Sequence, residues 1–316
     1  MARPSAARPT TARPVTVRVP AKVNLQLSVG AVRADGYHDL VTVFQAVGLY
    51  DEVTAEATTG GVTVSVEGEG AGRLPTGEQN LAVRAAMALA ETVGVAADVH
   101  LHLRKQIPVA GGMAGGSADA AATLLACDSL WGLHLDVSEL SGVAARLGAD
   151  VPFALTGGTA VGVGTGTQLT SALARGTFHW VLALADTGLE TAQVYATHDR
   201  LESGTFRPEP RVSDDLMGAL RSGDPTRVGA ALSNDLQAAA LSLRPQLRFT
   251  LEVGREMGAV GAIVSGSGPT CALLATDEEH AVELAVGLSA AGVCRTVRRA
   301  VAPVPGARVV DSVTSR

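Results

Sequence analysis

The chain has 316 residues, enough for about two domains at ~150 residues each. Hydrophobic residues make up 47% against 18% charged, and mean hydropathy is +0.24, which argues for a packed core over disorder. A net charge of −6 argues against nucleic-acid binding, no apolar run reaches the ~18 residues of a membrane span, and three scattered cysteines (Cys127, Cys271, Cys294) do not make a disulfide framework. The expectation is a soluble, cytoplasmic protein with no nucleic-acid or membrane partner, a monomer or weak homodimer.

Residues 1–14 are rich in Arg, Pro and Ala, carry no acid and read as a frayed tail. Val15–Val19 reads as a strand. Residues 22–29 alternate, with Val23, Leu25, Leu27 and Val29 on one face and Lys22, Asn24, Gln26 and Ser28 on the other. A turn-rich loop at 33–38 precedes strands at 40–48 and 62–66. Asn80 caps a helix to Val93, and Val99–Leu103 alternates as a strand. A glycine-rich loop then leads to an Ala/Leu-rich helix, Ser117–Trp131, with Ser117 as its cap. Asp136 and Glu139 form a capping box for a helix to Leu147, with Gly148 at its C-cap. Val151, before Pro152, is expected to be extended. The glycines at 157–166 read as strand and turns, and the domain boundary falls near 165. Beyond it come a strand at 178–185, helices at 213–221, 225–240 and 244–257, a strand–turn–strand over 262–276, a helix at 277–290 and a strand at 293–300. Two α+β domains, 15–165 and 166–310, result.

The sharpest chemical feature is the strand–loop–helix unit at 99–131. A helix N-terminus presents unpaired N–H groups and the positive end of its dipole. Gly111, Gly112, Gly115 and Gly116 let backbone wrap an anion, so this unit reads as a phosphate site. It is not a Walker A loop, because no lysine precedes Ser117. Lysine occurs only at Lys22 and Lys105, while arginine supplies the rest of the 25 basic residues. Against that bias both lysines invite inspection, and Lys22 shares its strand face with Asn24. Asp150 alone reads as a turn carboxylate, and 265–270 alone as a hairpin turn. Tyr37-His38 suits stacking on a flat base. His100 and His102 share a strand face but lack a third ligand, so they read as structural.

Taken together, Pro20–Leu25, Pro108–Ala118 and Ser265–Pro269 resemble the GHMP kinases, which carry a Lys-bearing N-terminal segment, a phosphate loop and a C-terminal Gly-rich turn. Residues 33–38, Asn80-Leu81 and 147–152 bring the likeness closer to the branch acting on CDP-methylerythritol. The ordered set spans about residues 15–300. The resemblance implies an N-terminal domain like ribosomal protein S5 domain 2, a ferredoxin-like C-terminal domain, and a cleft between them. It implies phosphorylation of the 2-hydroxyl of CDP-methylerythritol by ATP with Mg²⁺, in non-mevalonate isoprenoid synthesis. Asp150 would be the base and Lys22 its partner. Asn80 and Lys105 would lie at the adenine. Pro108, Val109, Ala110, Gly111, Gly112, Met113, Ala114, Gly115, Gly116, Ser117 and Ala118 would surround the phosphates. Asn24 would meet the methylerythritol hydroxyls, Tyr37 and His38 the cytosine, with Tyr195 as second aromatic and Gly266, Ser267 and Gly268 beside the substrate. Ala110 and Ala114 stand where relatives often have glycine, and Ala118 where many have serine. Ser117 is then the one hydroxyl available for Mg²⁺. The alternatives are a kinase of the same group acting on homoserine, mevalonate or a sugar, and a non-catalytic nucleotide sensor.

Overall fold

The computed structural model describes residues 13–34, 36–205 and 207–310, so the tail up to residue 12 lies outside the described residues. The first part of the chain forms β1 (Val15–Val32), β2 (His38–Ala57), β3 (Val62–Gly68), α1 (Leu81–Val93), β4 (Val99–Lys105), α2 (Gly115–Trp131), α3 (Val137–Leu147), α4 (Val151–Thr156), β5 (Thr159–Gly164) and β6 (Gln168–Ser171). Then follow β7 (Phe178–Leu184), α5 (Thr191–Leu201), α6 (Asp214–Ser222), α7 (Pro225–Ala230), β8 (Ser233–Asn234), α8 (Gln237–Leu243) and α9 (Gln246–Glu256). The chain closes with β9 (Gly261–Val264), β10 (Cys271–Ala275), α10 (Glu278–Ala291), β11 (Thr296–Ala302) and β12 (Arg308–Val310).

Two sheets result. The first runs β12-β1-β2-β4-β3, with β5 and β6 continuing from β2 and β8 parallel to β1; the second runs β11-β7-β10-β9 and is antiparallel throughout. β2 is long enough to pair with β5 through residues 40–45 and with β4 through residues 52–57. The chain does not divide cleanly at 165. β6, β8 and β12 lie beyond that point yet belong to the first sheet.

Strand β7 shows how the halves are joined. Phe178, Trp180, Leu182 and Leu184 face the core shared with α1–α3, while Val181 and Ala183 face a second core with α8–α10. Alternation on a strand buried on both faces places it between two apolar layers. The Trp180 indole also donates to Gln45 Oε1 of the first sheet at 3.0 Å.

Several expected elements are refined. The helix expected at 225–240 is broken by β8, because Ser233 and Asn234 pair with Gln26 and Leu27, and the Asn234 amide donates to Val264 O and Gly266 O at 2.8 Å. Val151 is not extended: it opens α4, with Pro152 in a first-turn position where proline lacks no needed N–H. Helix α5 escapes a hydrophobic pattern because two of its three buried residues, Thr197 and His198, are polar.

Candidate active site

The glycine-rich loop leaves β4 at Lys105 and enters α2 at Gly115. Ser117 is not the cap. Ala114 occupies the N-cap position with φ 60° and no side-chain cap, so the helix starts two residues before Ser117 and leaves its first N–H groups without a side-chain acceptor. Ala110 (φ 51°) is left-handed as well. This costs an alanine roughly 1 kcal/mol, so the surroundings must impose the shape. They do so from three sides. Lys22 N donates to Met113 O at 3.3 Å, Leu189 N to Ala110 O at 3.4 Å, and Thr270 N to Gly111 O at 3.3 Å. A Cβ on Gly112 would lie 2.2 Å from Ser265 O, so only glycine lets the loop lie against the 265–270 turn.

Across the loop stands Lys22, 6% exposed. Its ammonium donates to Asn24 Oδ1 at 2.6 Å and Gly112 O at 3.1 Å, and lies 3.9 Å from Asp150 Oδ2. Burial pulls the Lys22 ammonium below the usual lysine value, and the Asp150 charge only partly restores it. Asn24 passes the orientation on by donating to Thr42 Oγ1 at 2.8 Å. Asp150 sits at the N-cap position of α4 but caps nothing, so its carboxylate remains available to the cleft.

A cavity of about 490 Å³ brings these groups together: Lys22, Asn24, Asp150, Tyr195, Gly266 and Ser267, with Ala110, Gly111, Gly112, Ala114, Gly115, Gly116 and Ser117 of the loop. Other expected residues lie elsewhere. Met113 and Ala118 are core residues, and Pro108 and Val109 border a separate small recess. Gly268 is packed behind the turn, near Val264. Asn80 does cap its helix, accepting from Ala82 N, and its amide donates to Pro75 O. Lys105 is 3% exposed and its ammonium is enclosed by Asp51, Asp119 and Gly115 O. The side chains of Asn80 and Lys105 are therefore engaged with partners inside the protein. Burial pushes the Asp119 carboxyl up to about 7, against the opposing pull of Lys105.

His38 is not among the cavity lining, but its ring lies 5.2 Å from that of Tyr195, which is, tilted by 33°. His38 is buried and pairs through Nε2 with Asp199 Oδ1 at 2.9 Å, which also accepts from Arg207 at 2.9 Å. Burial would raise Asp199, but hydrogen bonds from Arg207 and His38 outweigh it and hold its carboxyl below the usual range. Burial raises the Tyr195 phenol, and Asp150 adds to the effect. Tyr37 is 67% exposed and lies outside the cavity lining.

Sequence reasoning missed Asp51, Asp119, Asp199, Thr42, Glu190 and Thr191. Glu190 and Thr191 line the cavity, and the Thr191 hydroxyl meets Ser267 Oγ at 3.1 Å. None of them carried a local signal: that Lys105 needs carboxylate partners follows only once its burial is seen.

A glycine loop under an open helix N-terminus, facing a Lys–Asp pair across one cleft, defines the class: an ATP-dependent small-molecule kinase. Residues 80–158 match the model of GHMP kinases N terminal domain, and residues 216–294 that of GHMP kinases C terminal. A 4-diphosphocytidyl-2-C-methyl-D-erythritol kinase of Streptomyces avermitilis is 56% identical over 294 residues, covering 93% of this chain and 99% of the relative. The same-named kinase of Thermobifida fusca is 56% identical over 301 residues, covering 93% and 97%. A crystal structure of 4-(cytidine 5'-diphospho)-2C-methyl-D-erythritol kinase superposes with a TM-score of 0.74 at 33% identity, covering 91% of this chain and 99% of that one. Homoserine kinase from Cytophaga hutchinsonii, at 18% identity, TM-score 0.72 and coverage of 96% and 99%, shares the fold. This chain belongs to the 4-diphosphocytidyl-2-C-methyl-D-erythritol kinase family of the GHMP kinases.

Proposed function

We propose that this chain transfers the γ-phosphoryl group of ATP to the tertiary 2-hydroxyl of 4-diphosphocytidyl-2-C-methyl-D-erythritol, in non-mevalonate isoprenoid synthesis in the cytoplasm. The observation that carries the reading is the Lys22–Asp150 pair, 3.9 Å apart, opening into the same cavity as the glycine loop. Phosphoryl transfer through a loose transition state demands alignment and charge stabilisation more than a strong base. The loop and the N-terminus of α2 hold the β- and γ-phosphates. Asp150 orients the hydroxyl and takes its proton late, when P–O bonding has begun. Lys22 stabilises the negative charge that develops beside it. Asn24, fixed by Lys22 and Thr42, meets the sugar-alcohol hydroxyls.

The described residues contain no group of three or more His, Cys, Asp or Glu that could cage a metal. That suits Mg²⁺, which keeps waters and binds through phosphates plus one or two protein oxygens. The Ser117 hydroxyl and the Glu190 carboxylate, both lining the cavity, would hold it. Held there, such an ion would supply positive charge to offset that of the phosphates.

The cytosine belongs at the Tyr195 end. Asp199 fixes the His38 ring, and Tyr195 beside it supplies a stacking face. Tyr195→Ala raises KM for the cytidine substrate by the equivalent of about 1–3 kcal/mol. An unchanged KM would move the base elsewhere. The test of the whole reading is ADP release with Mg-ATP and CDP-methylerythritol, run beside mevalonate, homoserine and galactose. Turnover with the cytidine substrate alone is expected. Turnover with another alcohol would remove the cytosine site, and no turnover despite ATP binding would leave a nucleotide sensor.

A further inference from the structure

The loop has no regular structure of its own, so something must set the position of both its ends. Its entry is held by Asp51, fully buried on β2, whose Oδ1 accepts from Gln106 N at 2.6 Å and Ile107 N at 2.9 Å. Its exit is held by Lys105, whose ammonium donates to Gly115 O at 3.3 Å. The same ammonium joins the two ends, because it also donates to the other oxygen of Asp51. Its remaining contact is Asp119 Oδ2 at 2.6 Å, one turn into α2. An ammonium has three protons, and here each has one oxygen in a different direction. The second oxygen of Asp119 is buried and finds no hydrogen-bond partner among the described residues. Holding two carboxylates on one cation, with an oxygen left over, is a poor way to stabilise a core.

We infer that Asp51, Lys105 and Asp119 are positioning residues that set the spacing of the phosphate loop's two ends and so tune ATP binding without touching the nucleotide. The inference rests on the placement of ATP at this loop. None of the three lines the cavity.

Asp119→Asn keeps the shape and leaves Lys105 paired with one carboxylate. The ammonium then moves toward Asp51, and Gly115 O loses its donor. KM for ATP rises about tenfold, the scale expected when a supporting group shifts a site by a fraction of an ångström. KM for CDP-methylerythritol stays at its wild-type value. Lys105→Arg, which keeps the charge but replaces a three-way ammonium by a planar fork, gives the same split. Wild-type KM for ATP in both variants, or equal rises in both KM values, would overturn the inference. Gly116→Ala separates this from the placement of the nucleotide. A Cβ there meets no protein atom within 4 Å, yet the residue lines the cavity. If Gly116→Ala raises KM for ATP and Asp119→Asn does not, the positioning role alone fails. If Gly116→Ala leaves it unchanged, ATP does not sit at this loop and the inference falls with that placement.

Discussion

The two lysines of this chain sit on opposite sides of one loop, and their surroundings make them different reagents. Both are buried, at 6% and 3% exposure. Lys22 has a single carboxylate near it, at 3.9 Å, and faces the cavity. Burial therefore wins, and its ammonium is held below the ordinary lysine value. For Lys105 burial also acts downward, but direct contact with Asp119 and Asp51 outweighs it and raises the ammonium above that value. Similar burial with a different number of contacting carboxylates thus separates a cation that faces the cavity from one locked into architecture. The lesson is general: burial alone does not say what a charged residue does.

That contrast can be broken from either side. Removing the carboxylate beside Lys22 should cost turnover. Asp150→Asn is expected to lower kcat by roughly 10²–10⁴ with melting temperature and KM for ATP nearly unchanged, read by steady-state kinetics beside thermal unfolding. Near-wild-type turnover would take the base role from Asp150. Removing a carboxylate from Lys105 should cost stability. Asp51→Asn leaves a buried cation short of a partner and is expected to destabilise by about 3–5 kcal/mol in denaturant unfolding. Wild-type stability there would dissolve the distinction between the two lysines.

Gly112 lies between the two arrangements, its carbonyl taken by Lys22 and Ser265 Oγ. Gly112→Ala places a Cβ against backbone, at φ 72°, and is expected to cost about 1–3 kcal/mol while raising KM for ATP. Stability without loss would mean that the loop can move away from the 265–270 turn. The smallest effect sharpens the contrast by pH. Lys22 gives up its proton at a lower pH than the ordinary 10.5, so the folded state binds fewer protons than the unfolded chain between those two values. Its contribution to stability accordingly grows as pH rises through that window. The alkaline limb of kcat/KM, which reports the free enzyme, should fall below pH 10.5. A limb at or above the ordinary lysine value would place the proton loss elsewhere.

Local rules carried much of the fold. Asn80 caps α1, and Asp136 with Glu139 forms the box that opens α3, because each needs only residues within one turn. The period-2 pattern placed Lys22 and Asn24 on one face, and the 2.6 Å bond between them follows from it. The same rules failed where distant chain competes with local preference. Ser117 is a good cap, but Ala114 is forced left-handed by a loop that Lys22, Leu189 and Thr270 hold, so α2 starts early. Residues 233–234 suit a helix, but β1 offered them strand partners.

By itself, then, the sequence determined many of the longer helices and strands, the local caps, and that two lysines stand out from an arginine-biased chain. These properties follow from nearest neighbours, backbone preference and residue chemistry. Only the tertiary structure decided which carboxylate meets which lysine. Asp51 is 54 residues from Lys105 and Asp150 is 128 from Lys22. A charge partner is chosen by which strands pair and which helix packs on them, and no local pattern encodes that choice.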